Sequence, residues 1–131
     1  MDSPKADATN ATASRWLGID HVQLAIPVGG EAVARAFYVD TLGMTEVPKP
    51  PALAVRGGAW FRAGAVELHV GVEAEFVPAR KAHPALLVDD LHGLVASTGV
   101  AARWSDEIPG TTRCHIDDPF GNRIELIDAS D

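Results

Sequence analysis

Apolar residues recur with two different periods along the first half of the chain. Residues 19–27 alternate between apolar and polar, and this period of two predicts a strand. Residues 31–42 carry apolar side chains at helical spacing and are followed by Gly43 as a C-cap, so they predict a helix. The order β-α-β-β-β is completed by short strands predicted at about 44–47, 53–62 and 65–72.

The same order of elements returns in the second half, after a linker over residues 73–81. A strand is predicted at 83–88 and a short helix at 91–97, with Asp90 as its N-cap and Gly99 closing it. The last strand follows a segment of typical turn residues. The remaining strands are predicted at 100–104, 111–116 and 123–127.

The repeated β-α-β-β-β unit predicts a single α+β domain over residues 16–131. Module 1 is placed at about 17–76 and module 2 at about 82–128, because two copies of one unit bury a common face against each other. Residues 1–15 lack large apolar side chains after Met1 and are expected to form a disordered tail. The three tryptophans are expected in the core by default, namely Trp16, Trp60 and Trp104.

Composition and charge narrow the functional classes. The chain has 131 residues, of which 47% are hydrophobic and 22% charged, as in ordinary globular domains. Its net charge of −7 argues against nucleic acid, which favours a basic face. A single cysteine, Cys114, excludes an intrachain disulfide, and no apolar run approaches the roughly 18 residues of a membrane helix. These features predict a soluble, acidic, cytoplasmic single domain that binds neither nucleic acid nor membrane.

A histidine and a glutamate occupy matching positions in the two halves. His21 and His83 each lie at the start of the first strand of a half, whereas Glu67 and Glu125 each follow an apolar residue and precede a leucine in its last strand. An ionised carboxylate among apolar strand residues is costly unless it is paired or binds a metal. If the halves pack about a pseudo-twofold axis, the four side chains converge on a site suited to Ni, Zn, Co, Fe or Mn.

Other interpretations of these residues stay open. Glu67 faces solvent if its strand has a wet face, and a lone histidine is more often a hydrogen-bonded core or rim residue than a ligand. His69 points to the same face as Glu67, so it is a metal ligand in its place or a partner of a ligand. Cys114 and His115 are neighbours on a strand and face opposite ways, which argues against a Cys/His hydrolase.

Several segments of the chain resemble the vicinal oxygen chelate superfamily, which includes glyoxalase I, bleomycin-resistance proteins, fosfomycin-modifying enzymes, methylmalonyl-CoA epimerases and extradiol dioxygenases. The most specific segment is DPFGNRIEL at residues 118–126, which is similar to the family's DP-x-G-N-x-IEL signature. The resemblance covers residues 17–128, and the run from 67 to 84 is similar to a glyoxalase-like subgroup. Further matching segments lie at 20–22, 37–38, 42–44 and 66–68.

The resemblance implies paired βαβββ modules that form a cupped, barrel-like mixed sheet around a divalent metal ion. It also implies a homodimer, in which both subunits can contribute to the cup. Residue by residue, the implied metal ligands are His21, Glu67, His83 and Glu125. The implied chemistry is proton transfer with Glu125 or Glu67 as the base, while the metal stabilises an enediolate or enolate.

The sequence therefore predicts a metal-dependent, glyoxalase-like lyase or isomerase that acts on a small oxygenated substrate. Trp60 is expected to line the pocket, and Arg62 or Arg103 to hold a substrate carboxylate. Two alternatives remain. One is a protein that sequesters a toxic small molecule, and the other is a metal-dependent resistance transferase or dioxygenase that uses the two histidines and Glu125 only.

Overall fold

The computed structural model describes residues 13–130 and divides them into strands and short helices. The strands are β1 (Val22–Ile26), β2 (Thr45–Val47), β3 (Ala59–Ala63), β4 (Val66–Val72), β5 (Ala85–Val88), β6 (Arg103–Ser105), β7 (Arg113–Asp117) and β8 (Arg123–Asp128). The helices are α1 (Glu31–Arg35), which continues as a π-helix over Ala36–Thr41, then α2 (Pro51–Ala54) and α3 (Leu91–Thr98).

The strands form two four-stranded sheets with the same topology. One sheet has the order β1-β4-β3-β2 and the other the order β5-β8-β7-β6. In each sheet the first strand of the module runs parallel to the last, and the other neighbours are antiparallel. The α+β fold with two strand-rich modules is confirmed, and the two sheets do not close into a barrel.

One apolar core joins the two modules. Alternate side chains of the strands are buried in it, because successive residues of a strand point to opposite faces of the sheet. The core includes Leu24, Phe61 and Leu68 from module 1 and Ile116 and Ile124 from module 2. The glutamates that precede or follow these residues therefore lie on the faces turned away from the core.

A buried hydrogen-bond network also joins the modules. The Tyr38 hydroxyl donates to the Asp118 carboxylate at 2.9 Å, and the Asn122 side-chain amide donates to the carbonyl of Ala25 at 2.9 Å. Asp118 also accepts bonds from the backbone N–H groups of Phe120 and Asn122. The turn before β8 is thus held against β1 and the helix of module 1.

The predicted elements occur in the structure with one clear difference, between β2 and β3. The predicted strand over 53–62 is instead α2, a turn and then β3. Pro51 begins α2, where its fixed φ and missing N–H suit the first helical position. Gly57 and Gly58 have φ of +76° and +81°, which turn the chain before β3.

None of the three tryptophans lies in the core, contrary to expectation. Trp60 is partly buried on the face of β3 that is turned away from the core. The Trp16 side chain is fully exposed, as are Leu17 and Ile19 in the same segment before β1. Trp104 is 45% exposed and stacks on His92 with a ring-centroid distance of 4.5 Å.

The prediction of a disordered tail concerns residues that lie mostly outside the structure. Positions 1–12 of the predicted tail, like position 131, are outside the described residues. Residues 13–15 are described and exposed.

Candidate metal centre

Two histidines and a glutamate meet on the sheet of module 2, on the face turned away from the core. The register of β7 and β8 sets His115 directly opposite Glu125, and His83 lies just before β5, the parallel neighbour of β8. His83 Nε2 is 3.2 Å and His115 Nε2 is 3.7 Å from the same atom, Glu125 Oε1. Within residues 13–130, this is the one group of three His, Cys, Asp or Glu whose ligand atoms all lie within 4.8 Å of one another.

Backbone contacts orient the His83 ring toward Glu125. Its Nδ1 lies 3.2 Å from the carbonyl oxygen of Arg80 and 3.0 Å from that of Lys81. Because carbonyl oxygens only accept, Nδ1 donates to them, so Nε2 is the ring nitrogen that faces Glu125 Oε1, at 3.2 Å. A proton or a metal ion between Nε2 and this carboxylate oxygen satisfies the contact. The donor set therefore fits a divalent transition metal ion.

Arg113 holds the second oxygen of Glu125. Its Nη1 donates to Glu125 Oε2 at 2.9 Å, and the two side chains are only 11% and 13% exposed. Burial works to raise the pKa of Glu125, but the hydrogen bonds from His83 and Arg113 outweigh it, so the pKa lies below its ordinary value. Burial also lowers the pKa of His115, which favours the neutral imidazole that metal binding requires.

A second polar cluster lies on the sheet of module 1. Arg62 Nε donates to Glu67 Oε1 at 3.0 Å, and His69 Nε2 lies 3.3 Å from Glu67 Oε2. The hydrogen bond from Arg62 is the main reason that the pKa of Glu67 lies below its ordinary value. Burial lowers the pKa of His69. Glu67 is thus an ionised carboxylate between a guanidinium and an imidazole.

The rings of His21, His69 and Trp60 form one stack beside Glu67. The ring centroids of His69 lie 4.0 Å from His21 and 4.3 Å from Trp60, with interplanar angles of 19° and 7°. His21 Nδ1 lies 2.8 Å from the Asp20 carboxylate, which accepts a hydrogen bond from it. A carboxylate behind an imidazole is the usual second partner of a metal-binding histidine.

These side chains border a cleft of about 710 Å³ on module 1. Trp60 and Arg62 lie in its wall together with Lys49 and Arg56, so the cleft has both an aromatic surface and positive charge. Arg103 lies instead on β6 of module 2. Its guanidinium donates two hydrogen bonds to Asp117, at 2.9 and 3.0 Å.

Each module holds one pair of the four sequence-predicted ligands. His83 contacts Glu125 directly, whereas His21 stacks on His69, which in turn contacts Glu67. The two pairs belong to different sheets. In the part of the chain that the structure describes, the four residues do not form one metal-sized group.

Sequence reasoning missed two residues of the module 2 cluster, His115 and Arg113. From the sequence, His115 was considered only as the neighbour of Cys114, and Arg113 was not singled out. A usable signal was the period of two along β7, which puts Arg113 and His115 on one face. Linking that face to Glu125 requires the β7–β8 register, which the turn before β8 sets.

The fold places the chain among known structures. It is similar to a glyoxalase family protein from Bacillus anthracis, with 46% identity, a TM-score of 0.83, and coverage of 88% of this chain and 97% of that one. A lactoylglutathione lyase from Agrobacterium tumefaciens is 18% identical, with a TM-score of 0.60 and coverage of 83% and 92%. An antibiotic-binding protein from Streptomyces sp. CB03234 is 25% identical, with a TM-score of 0.64 and coverage of 86% and 98%.

These similarities place the chain in the class of glyoxalase/bleomycin resistance/dioxygenase proteins, which share the vicinal oxygen chelate fold. Within that class, the chain belongs to the glyoxalase family. No family model matches the chain, and no curated protein matches it. No helix within residues 13–130 is long and apolar enough to cross a membrane.

Proposed function

We propose that the chain is a divalent-metal-dependent enzyme of glyoxalase type, which transfers a proton on a small substrate with adjacent oxygen atoms. The observation that carries the proposal is the contact of His83 Nε2 with the Glu125 carboxylate at 3.2 Å, in a ring whose Nδ1 is held by backbone carbonyls. Membership of the glyoxalase family supports the same conclusion.

The proposed ligands are His21, Glu67, His83 and Glu125, shared between two copies of the chain. Each module carries one His/Glu pair on the face turned away from the common core, and the pairs lie on separate sheets. Within residues 13–130 of one chain, these four residues do not form one metal-sized group. We therefore propose a homodimer in which module 1 of one copy faces module 2 of the other.

The bound ion would supply Lewis acidity toward the substrate oxygens. The proton acceptor is Glu125 or Glu67. Arg113 holds one oxygen of Glu125, and Arg62 holds one oxygen of Glu67, so each carboxylate has a fixed orientation. The pKa of both lies below its ordinary value, so both are ionised and able to accept a proton at neutral pH.

Substrate recognition is proposed for the module 1 cleft. Trp60 offers a flat apolar face, and Arg62 offers a guanidinium beside Glu67. A substrate with a carboxylate suits this combination, since arginine binds carboxylates through paired hydrogen bonds. Arg103 reaches a substrate only if it releases Asp117, so its proposed role is the weaker of the two.

The proposal is tested by calorimetric titration of the chelator-stripped full chain with Ni, Zn, Mn and Fe(II). We expect the unaltered chain to bind one of these ions tightly and Glu125→Gln to bind it at least about 10–100-fold more weakly. Loss of a residue that only hydrogen-bonds a metal ligand already has an effect of that size. Glu75→Gln, a change at an exposed carboxylate, is the matched control and should leave binding unchanged. Failure of the unaltered chain to bind any of these ions would refute the proposal.

The second candidate function is sequestration of a small molecule without chemistry. The likeness to an antibiotic-binding protein and the aromatic wall of the module 1 cleft favour it. Tight binding of an aromatic antibiotic by the metal-free chain, abolished by Trp60→Ala, would support this function. The resistance transferase or dioxygenase alternative instead predicts full activity in Glu67→Gln, because it does not use that ligand.

A further inference from the structure

We infer that His115 is an additional metal ligand, so that module 2 of a single chain holds a divalent transition metal ion through His83, His115 and Glu125. The inference rests on the metal dependence proposed above and changes its ligand set. His115 has no histidine counterpart in module 1. It lies opposite Glu125 on β7, whereas the residue opposite Glu67 on β3 is Arg62.

The spacing of the three donors suits one ion. His83 Nε2 and His115 Nε2 approach the same carboxylate oxygen, Glu125 Oε1, at 3.2 and 3.7 Å. Ligand atoms that lie about 2.0–2.2 Å from zinc in a tetrahedral site are separated from one another by roughly 3.3–3.6 Å. The side chains therefore need only small rotations to surround an ion.

The orientation of the rings also suits a cation. Nδ1 of His83 faces two backbone carbonyls, so its Nε2 is the nitrogen turned toward Glu125. His115 is partly buried beside the same carboxylate, with a side-chain exposure of 22%. An ion would meet one nitrogen from each of two imidazoles and one carboxylate oxygen, a donor set that divalent transition metals prefer.

Arg113 restricts Glu125 to one ligand oxygen. Its guanidinium occupies Oε2, so Oε1 alone is directed toward the two imidazoles. The other Nη of Arg113 is held by Ser105 and Glu107, and its Nε is buried without an acceptor among the described residues. An unsatisfied buried donor is destabilising, and such costs are typical of functional sites. Arg113 is therefore a positioning residue for Glu125.

The experiment uses the full chain loaded with Co(II), because each imidazole bound to this paramagnetic ion gives strongly shifted proton signals in NMR spectra. We expect His115→Ala to remove one imidazole from the shifted set and to weaken Co(II) binding by about 10–100-fold or more. His115→Gln, which preserves side-chain size better, should do the same. His92→Ala is the matched control, since His92 is an exposed histidine on α3, and it should change neither readout.

The outcomes separate this inference from the proposed function. If His115→Ala and His115→Gln, shown to be folded by circular dichroism, keep the full set of shifted imidazole signals, then His115 is not a ligand and the inference is wrong. The proposed function survives that result if Glu125→Gln still abolishes binding. If the unaltered chain binds no Co(II), both the inference and the metal-dependent function fail.

Discussion

The two modules share a backbone topology but differ in the residue opposite the glutamate. β3 places Arg62 directly opposite Glu67, and β7 places His115 directly opposite Glu125. A guanidinium stays protonated in proteins and has no lone pair to offer a metal, whereas a neutral imidazole has one. A repeated fold therefore need not repeat its chemistry, because one side chain at an equivalent register position changes what the sheet can bind.

The next positions along the strands extend this difference. Module 1 sets Trp60 opposite His69, which together with His21 makes an aromatic stack beside an open cleft. Module 2 sets Arg113 opposite Ile127, so a buried guanidinium replaces the aromatic surface. The comparison therefore supports the proposal of substrate contacts on module 1 and of a metal site on module 2.

The largest predicted effect concerns the glycines that precede the two central hairpins. An added Cβ at Gly58 would lie 2.2 Å from the carbonyl oxygen of Val70, whereas at Gly110 it would meet nothing within 4 Å. Both residues have positive φ, so alanine costs about 1–2 kcal/mol at either position from the backbone alone. We expect Gly58→Ala to lower the free energy of unfolding by more than about 3 kcal/mol and Gly110→Ala by about 1–2 kcal/mol.

Urea denaturation of both variants measures this difference. If the two variants lose equal free energy of unfolding, then the close approach of Gly58 to β4 does not constrain module 1. The two modules would then accept a side chain at these turns equally well.

The second prediction compares the two arginine–glutamate pairs in the metal-free chain. The side chains of Arg113 and Glu125 are only 11% and 13% exposed, whereas Arg62 is 56% exposed. Removing one partner of an ion pair that is mostly shielded from water leaves an uncompensated charge, so we expect Arg113→Met to lower the free energy of unfolding by up to about 3 kcal/mol. Arg62→Met should have a clearly smaller effect, because water screens an exposed charge. Thermal unfolding of the two variants side by side tests this order, and a larger loss in Arg62→Met would contradict it.

The smallest predicted effect is the pH dependence that Glu31 of module 1 contributes to stability. The Glu31 carboxylate accepts a hydrogen bond from the N–H of Gly58 at 2.8 Å, and this bond is the main reason that the pKa of Glu31 lies below its ordinary value. A lowered pKa in the folded state stabilises the protein above the unfolded pKa of about 4.3, and the contribution is lost as the pH falls through the folded value. Glu31→Gln should therefore cost about 0.5–1 kcal/mol at pH 7.

As the pH falls below the lowered folded pKa of Glu31, the unaltered chain and Glu31→Gln should approach equal stability, because the carboxylate is then protonated in both the folded and the unfolded state. Denaturation at several pH values measures the difference. A gap between the two proteins that stays constant down to acidic pH would show that the charge of Glu31 contributes nothing.

Local patterns predicted the elements better than the site. The alternation in β1 and the caps of α3, with the Asp90 side chain accepting from the N–H of Gly93 and Gly99 in the left-handed region, are confirmed. The predicted strand at 53–62 was wrong at its start, because Pro51 favours a helical first position more strongly than the apolar run favours a strand. Errors of this kind arise where two local preferences compete.

The candidate site was predictable only in part. His83 and Glu125 were found because they recur at matching positions in the two halves, and the structure brings them into contact. His115 was missed because it has no counterpart in the repeat, and Arg113 because nothing in its immediate neighbours marks it as buried. Their importance depends on the pairing of β7 with β8, which joins residues separated along the chain.

By itself, the sequence determined the order of the strands, the repeated unit and the matching positions of the His/Glu pairs, because periodicity, caps and internal repeats depend on neighbouring residues. The tertiary structure alone decided that His115 joins His83 and Glu125, that Arg113 takes one carboxylate oxygen, and that the two His/Glu pairs lie on separate sheets. The physical reason is that coordination and hydrogen bonding act over a few ångströms, and only strand register and packing bring distant residues that close.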